Sequence, residues 1–184
     1  MLAMSSLPPD FWTMLGLLAK ACDRYRETTG RRAIIVGGAA VSFYTQGAIL
    51  SGDVDMVADI DFEHSLLAEG FEKETGPGKL LGGYFHPDVP RMSVELVSGS
   101  LFDGLTDKDR LLAIQLTGDG VVHFPPIEDM IADRLGQFAS SKNKNSEMLK
   151  QASILMTLAI DYDPVYLRRR ILEEGGDPAA IGLV

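Results

Sequence analysis

Two aspartates separated by a single residue are the strongest chemical signal in this sequence. Asp53 and Asp55 flank Val54 in an otherwise apolar or small-residue stretch. In a β-strand, alternate side chains lie on one face, so the two carboxylates would be neighbours while Val54 faces the other way. Neighbouring negative charges repel each other, and magnesium, which prefers hard oxygen ligands, relieves that repulsion. The pattern therefore predicts a magnesium site at Asp53 and Asp55.

Two glycines stand one helix before these acids. Gly37 and Gly38 follow the apolar run 33–36, which reads as a short buried strand. Because glycine has no Cβ, the chain can turn sharply there and a phosphate can approach the backbone N–H groups. A helix predicted over Ala39–Gly47 would point its N-terminus at the same place, which favours anions. The glycines and the acids together predict a site where phosphate and metal meet.

Each half of this pattern has an ordinary structural explanation. A Gly-Gly pair before a helix is a common strand-to-helix turn, and an Asp-x-Asp pair is often a solvated strand end. Here both occur in order, with an apolar strand on either side of the helix. That combination favours the functional interpretation.

The order of apolar strand, Gly-Gly, helix and Asp-x-Asp resembles the minimal nucleotidyltransferases of the polymerase-beta superfamily. The small prokaryotic members, including the toxins of abortive-infection toxin–antitoxin pairs, are the most similar. The resemblance implies that Gly37 and Gly38 hold the phosphates of ATP or another nucleoside triphosphate. It also implies that Asp53 and Asp55 bind Mg²⁺ together with a third acid on a later strand. Glu95, in the alternating run 91–97, matches that third position.

The resemblance further implies a fold class and an activity. The fold would be α/β in the broad sense (α+β), a small mixed sheet with flanking helices and a helical C-terminal part. The activity would be magnesium-dependent transfer of a nucleotidyl group to a hydroxyl of RNA, protein or a small molecule. Asp53, Asp55 and Glu95 would be the catalytic residues, the Ser51 hydroxyl would lie near the phosphates, and an antitoxin would be a partner.

Two other hypotheses stay open. Relatives often place a basic residue four positions before the first acid, where this chain has Ile49. That difference suits a catalytically inactive nucleotide- or partner-binding protein of the same fold. A metal-binding interaction module that takes no nucleotide is the third hypothesis.

The remaining sequence predicts how the chain is organised. Residues 1–125 are expected to form the nucleotidyltransferase-like domain, and residues 126–184 a helical region packed on it. The predicted elements are a first helix from Pro8-Pro9-Asp10 to Gly30, a helix over 62–70, a hairpin that turns at 117–120, and helices over 127–138, 146–160 and 163–174. The stretch before Pro90 is predicted either to be a mobile loop near the site or to contain a pair of short edge strands over 80–85. Asp61 is expected to cap a helix, and His123 to lie on the sheet surface. Residues 168–170 are expected to face solvent and form salt bridges rather than contact nucleic acid.

Composition narrows the classes of function. The chain has 17 basic and 26 acidic residues, a net charge of −9, which argues against broad attraction to nucleic acid. Its one cysteine, Cys22, cannot form an internal disulfide and reads as a core residue. No apolar run has membrane-spanning length and no signal peptide is evident, so a cytoplasmic location is expected.

The run 76–79 resembles a P-loop, but Leu80 stands where a Ser or Thr is required, which excludes that interpretation.

Overall fold

The computed structural model describes residues 7–75, 83–142 and 146–183. Its first helix, α1 (Pro9–Thr29), begins with proline at the first helical position and ends at Gly30, whose left-handed φ of 71° closes the last turn. The prediction of this helix is confirmed. Cys22 lies in α1 and is buried, and burial raises the pKa of its thiol to about 12.

A seven-stranded mixed sheet forms the centre of the described fold. The strands are β1 (Ile34–Val36), β2 (Asp53–Val57), β3 (Glu72–Lys73), β4 (Gly83–Phe85), β5 (Ser93–Ser98), β6 (Leu112–Leu116) and β7 (Gly120–Phe124). Their order across the sheet is β3-β4-β5-β2-β1-β7-β6. β2 is therefore the middle strand, antiparallel to β1 and parallel to β5.

The two faces of the sheet bury different side chains. Ile35, Val54 and Val94 belong to the main hydrophobic core, which also contains the apolar residues of α1. Ile34, Val36, Val57 and Leu101 form a second, smaller apolar cluster. Because side chains alternate along a strand, Asp53 and Asp55 lie on the face of this small cluster. The burial of Val54 and Met56 thus fixes which way the acids point.

The helix between β1 and β2, α2 (Gly37–Tyr44), starts two residues earlier and ends three residues earlier than predicted. Gly37 and Gly38 are its first two residues and do not precede it. Its end is set by positive φ angles at Gln46 (49°) and Gly47 (89°), which an α-helix cannot contain. The glycine backbone is therefore part of the helix N-terminus itself.

Four further α-helices lie in the described residues. α3 (Phe62–Ala68) follows β2, and α4 (Ile127–Ser140), α5 (Ser146–Leu158) and α6 (Pro164–Glu173) follow the β6–β7 hairpin, so the described residues hold six α-helices. Short 3-10 turns occur at Leu101–Gly104, Lys108–Arg110 and Pro178–Ile181. α4 packs against α2, α5 and α6, and the Tyr44 hydroxyl at the end of α2 donates to the carbonyl of Pro125 at 2.6 Å. The domain boundary at 125/126 stays a prediction.

Three local predictions are wrong. Asp61 makes no side-chain cap at α3; the Asp59 carboxylate accepts from the Asp61 N–H instead, at 3.1 Å. His123 is buried, not on the surface, and its pKa is lowered by burial and by the nearby charges of Arg32 and Arg26. Arg170 forms the expected salt bridges, but it is fully buried and does not face solvent, because three carboxylates surround its guanidinium.

Two other expectations concern residues 76–82 and the membrane. The run 76–79 and the first part of the predicted edge strands, residues 80–82, lie outside the described residues; β4 begins at Gly83. Within the described ranges, no helix combines the length and the apolar character needed to cross a bilayer.

Candidate active site

The first helical turn of α2 lies directly against the acids of β2. Gly37 has a φ of +62°, which L side chains rarely adopt, and a Cβ there would collide with the Asp55 carboxylate. A Cβ at Gly38 would lie 2.5 Å from the Ser51 hydroxyl oxygen. Both glycines are thus required sterically by Asp55 and Ser51. Because the two glycines have no side chains, the N-terminus of α2 can lie directly beside the carboxylates.

The three predicted acids lie on two adjacent strands. β2 and β5 run parallel, and Asp55 is paired in register with Glu95, while Asp53 is paired with Ser93. Neighbouring strands are about 4.8 Å apart, so in-register side chains on one face are adjacent. Asp53 is exposed, and Asp55 and Glu95 are partly buried. The structure therefore brings Asp53, Asp55 and Glu95 to the same face of the sheet, beside the glycines.

The charges at this place are not balanced. The pKa of Asp55 is raised, first by burial and then by the negative charges of Asp53 and Glu95. The positive charge of Arg134 acts in the opposite direction, and the negative charge of Asp133 adds to the rise. A cation bound among the carboxylates would remove this electrostatic cost.

The donor set suits magnesium by its chemistry, since all three side chains offer carboxylate oxygens. However, within residues 7–75, 83–142 and 146–183 no three His, Cys, Asp or Glu side chains are gathered closely enough to hold a metal ion. Asp53, Asp55 and Glu95 share a face without converging on one point. Their role as magnesium ligands stays a prediction.

The Ser51 side chain contacts Asp53, one of the three acids. Its hydroxyl donates to Asp53 Oδ1 at 2.6 Å, and its backbone N–H donates to Ser42 Oγ at 2.9 Å. Ser42 in turn donates to the carbonyl of Gly38 at 2.9 Å. Ser51 therefore connects Asp53 to α2. Ile49, in contrast, packs against the main hydrophobic core.

Arg134 of α4 is a site residue that sequence reasoning missed. Its side chain is only 7% exposed, and its positive charge opposes the rise in the pKa of Asp55. Nη1 donates to Gln137 Oε1 at 3.2 Å, whereas Nε and Nη2 have no hydrogen-bond partner in the described part of the chain. A buried guanidinium with free donors is costly unless a ligand satisfies them.

The signal for Arg134 was present in the helical pattern. Position 134 falls inside the apolar stripe of α4, which is formed by residues 127, 130, 131, 135 and 138. A charged residue on an apolar face needs a buried partner. Its neighbour Asp133 has its pKa raised by burial and accepts from Gln137 Nε2 at 3.0 Å. Asp133 Oδ2 is 3.6 Å from Arg134 Nε, longer than a hydrogen bond.

Comparison with solved structures supports the fold class. No protein-family profile matches the sequence, and no curated protein matches it significantly. The fold is similar to the crystal structure of an antigenic nucleotidyltransferase-like protein from Paracoccidioides brasiliensis. The sequence identity is 15%, the TM-score is 0.56, and the alignment covers 89% of this chain and 86% of that chain. The fold is therefore nucleotidyltransferase-like, which confirms the fold class predicted from the sequence.

Proposed function

We propose that this chain is a nucleotidyltransferase that uses a nucleoside triphosphate. The observation that carries the proposal is the contact between Gly37 and Asp55. It brings the N–H groups of a helix N-terminus, which bind phosphate, next to carboxylates suited to a divalent cation. A nucleoside triphosphate bound with its cation presents both chemistries at once.

Each residue of the site has a role in this proposal. The backbone N–H groups at Gly37 and Gly38 bind the phosphates, and Ser51 orients Asp53. Arg134 supplies a positive charge that opposes the negative charges around Asp55. Glu95 accepts the proton of the acceptor hydroxyl as that oxygen bonds to the α-phosphorus and pyrophosphate leaves.

Magnesium would be held by Asp53, Asp55 and Glu95. When bound, it supplies positive charge that stabilises the triphosphate and lowers the pKa of the attacking hydroxyl. RNA, protein and small-molecule hydroxyls are all acceptors that this chemistry allows. The association with an antitoxin depends only on the sequence resemblance.

The test is transfer of label from each of the four α-labelled nucleoside triphosphates to RNA, to protein and to small hydroxyl compounds, with magnesium or with chelator. We expect a labelled product that forms only with magnesium. Asp53→Asn should abolish it, and Asp61→Asn, the same change at an exposed acid outside the site, should not. Equal loss in both variants would contradict the assignment of the site.

A second candidate is a non-catalytic nucleotide-binding protein of the same fold. Ile49 favours it, because this side chain packs into the core and gives no positive charge to a triphosphate. Thermal shift with ATP, CTP, GTP and UTP, with and without magnesium, separates the candidates when read beside the transfer assay. Stabilisation by nucleotide without any transfer would select the non-catalytic function.

A further inference from the structure

A cavity of about 490 Å³ lies at the opposite end of the strands that carry the acids. Its walls include Ile34 at the start of β1, Val57 at the end of β2, and Gly99, just after β5. The acids and the glycines lie at the other ends of these strands. The small apolar cluster that contains Val36 and Leu101 stands between the two places. The cavity is thus separate from the candidate active site.

The rim of this cavity is basic, although the chain as a whole is acidic. Arg26, Arg31, Arg32 and Lys108 line it, and Asp59 is the one acid among its described lining residues. Arg31 forms an ion pair with Asp59, and Arg26 forms one with Asp23 at 3.4 Å. Arg32 and Lys108 are exposed, and neither forms an ion pair with any described carboxylate. Among the described residues, two positive charges at the rim therefore have no ion-pair partner.

The electrostatic effect of these basic side chains extends to the sheet beneath the cavity. His123 of β7 is paired with Ile34, which lines the cavity floor. After burial, the charges of Arg32 and Arg26 are the main causes that lower the pKa of His123. A positively charged side chain is thus disfavoured there, as expected where the local field is positive.

We propose that this cavity binds a small organic phosphate. A phosphate monoester would be held by Arg32, whose planar guanidinium binds phosphate oxygens in pairs, and by Lys108. Its organic part would lie on the apolar floor formed by Ile34, Val57 and Leu101. The volume is within the usual range of small-molecule sites. The proposal does not depend on nucleotidyl transfer, because the acids lie outside the cavity.

The experiment is titration calorimetry in the presence of chelator, so that the acid site has no divalent cation. AMP and ribose 5-phosphate are compared with adenosine, ribose and inorganic phosphate. We expect the two organic phosphates to bind, and the double variant Arg32→Gln/Lys108→Gln to raise their Kd at least about tenfold. The matched variant Arg168→Gln/Lys150→Gln, with the same loss of charge at exposed helical positions, should keep Kd within about twofold. Asp53→Asn should also keep it.

Three results would overturn the proposal. Equal weakening in the two double variants would show a general effect of net charge and not a site. Inorganic phosphate that binds as tightly as AMP would show that the apolar floor contributes nothing. No heat of binding for either organic phosphate at millimolar concentration would show that the cavity does not take this class. Circular dichroism and melting of each variant verify that the exposed substitutions leave the fold intact.

Discussion

The acids beside α2 and the acids around Arg170 differ in what balances their charge. The Arg170 guanidinium donates to Asp129 at 2.6 Å, to Glu173 at 2.6 Å and to Glu174 at 2.5 Å. Its side chain and that of Asp129 are fully buried. Asp53, Asp55 and Glu95 form no ion pair with any described lysine or arginine. The positive charge of Arg134 only opposes the rise in the pKa of Asp55.

This difference teaches how one residue type serves two purposes. In the buried cluster every charge has a partner, so its removal would leave uncompensated charge inside the protein. At the candidate active site the carboxylates repel each other until a cation arrives. A surplus of negative charge is therefore tolerated at the place where a bound cation can neutralise it.

The largest expected effect is on the buried cluster. Arg170→Met should lower the free energy of unfolding by about 3–5 kcal/mol, because Asp129 would be left buried without its partner. Urea denaturation measures this change. Arg168→Met, at an exposed neighbouring position, should change it by no more than about 0.5 kcal/mol. Similar values for the two variants would mean that the buried cluster does not hold the helices together.

The next effect is on the acids. Asp55→Asn should reduce nucleotidyl transfer at least about 100-fold, because the site loses a charged ligand for the cation. In chelator the variant should melt at or above the wild-type temperature, since one repelling charge is gone. With magnesium and nucleotide, only the wild type should gain stability. A variant that keeps the whole magnesium-dependent gain would contradict the metal site.

A side chain at the helix N-terminus should have a smaller effect. Gly37→Ala should raise the Kd for nucleotide about tenfold, because its Cβ would displace Asp55. It should also cost about 1–2 kcal/mol of stability, since alanine is strained at this positive φ. Gly52→Ala is the matched control, as a Cβ there meets nothing within 4 Å. Unchanged nucleotide affinity in folded Gly37→Ala would refute phosphate binding at this turn.

Loss of the Ser51 hydroxyl should weaken magnesium-dependent nucleotide binding by about 1 kcal/mol, the value of one hydrogen bond. The reason is that Asp53 loses the donor that orients it. Calorimetry on Ser51→Ala measures the loss. Ser153→Ala, which removes an exposed hydroxyl bonded within its own helix, should have no effect on binding.

The smallest expected effect is on pH dependence in the absence of metal. Because the pKa of Asp55 is raised in the folded state, its contribution to stability is present below the unfolded pKa of about 3.9 and is lost as pH rises through the higher folded value. The stability of the wild type relative to Asp55→Asn should therefore fall over that window. Denaturation of both proteins in chelator, at steps from pH 3 to 7, tests the sign. A difference that grows with pH would contradict the environment assigned to Asp55.

The local parts of the site were predictable from the sequence. The strand, the glycines and the Asp-x-Asp pair lie within about two dozen residues of one another, and short-range steric rules determine their arrangement. The alternation of 91–97 also located β5 and its acid. These features depend on neighbours along the chain, so a pattern of residue types is enough to find them.

The parts that depend on distant contacts were not predictable in the same way. Nothing local shows that Arg134 lies near Asp55, because that requires α4 to pack on α2. The alternation around His123 gives a strand but does not show that its second face is buried. Arg170 stands in a run of three arginines, and only the position of α4 shows that it is the buried one.

The rate at which Cys22 is alkylated can report how often the first helix opens. The thiol is buried against the main core, and its pKa of about 12 leaves almost no thiolate at neutral pH. An alkylating reagent can therefore modify it only after α1 separates from the sheet. Because the sequence has no other cysteine, the modification rate reports that single event without any engineered label. Comparing the rate with and without nucleotide would show whether ligand binding at α2 is felt across the sheet, on the far side from the acids.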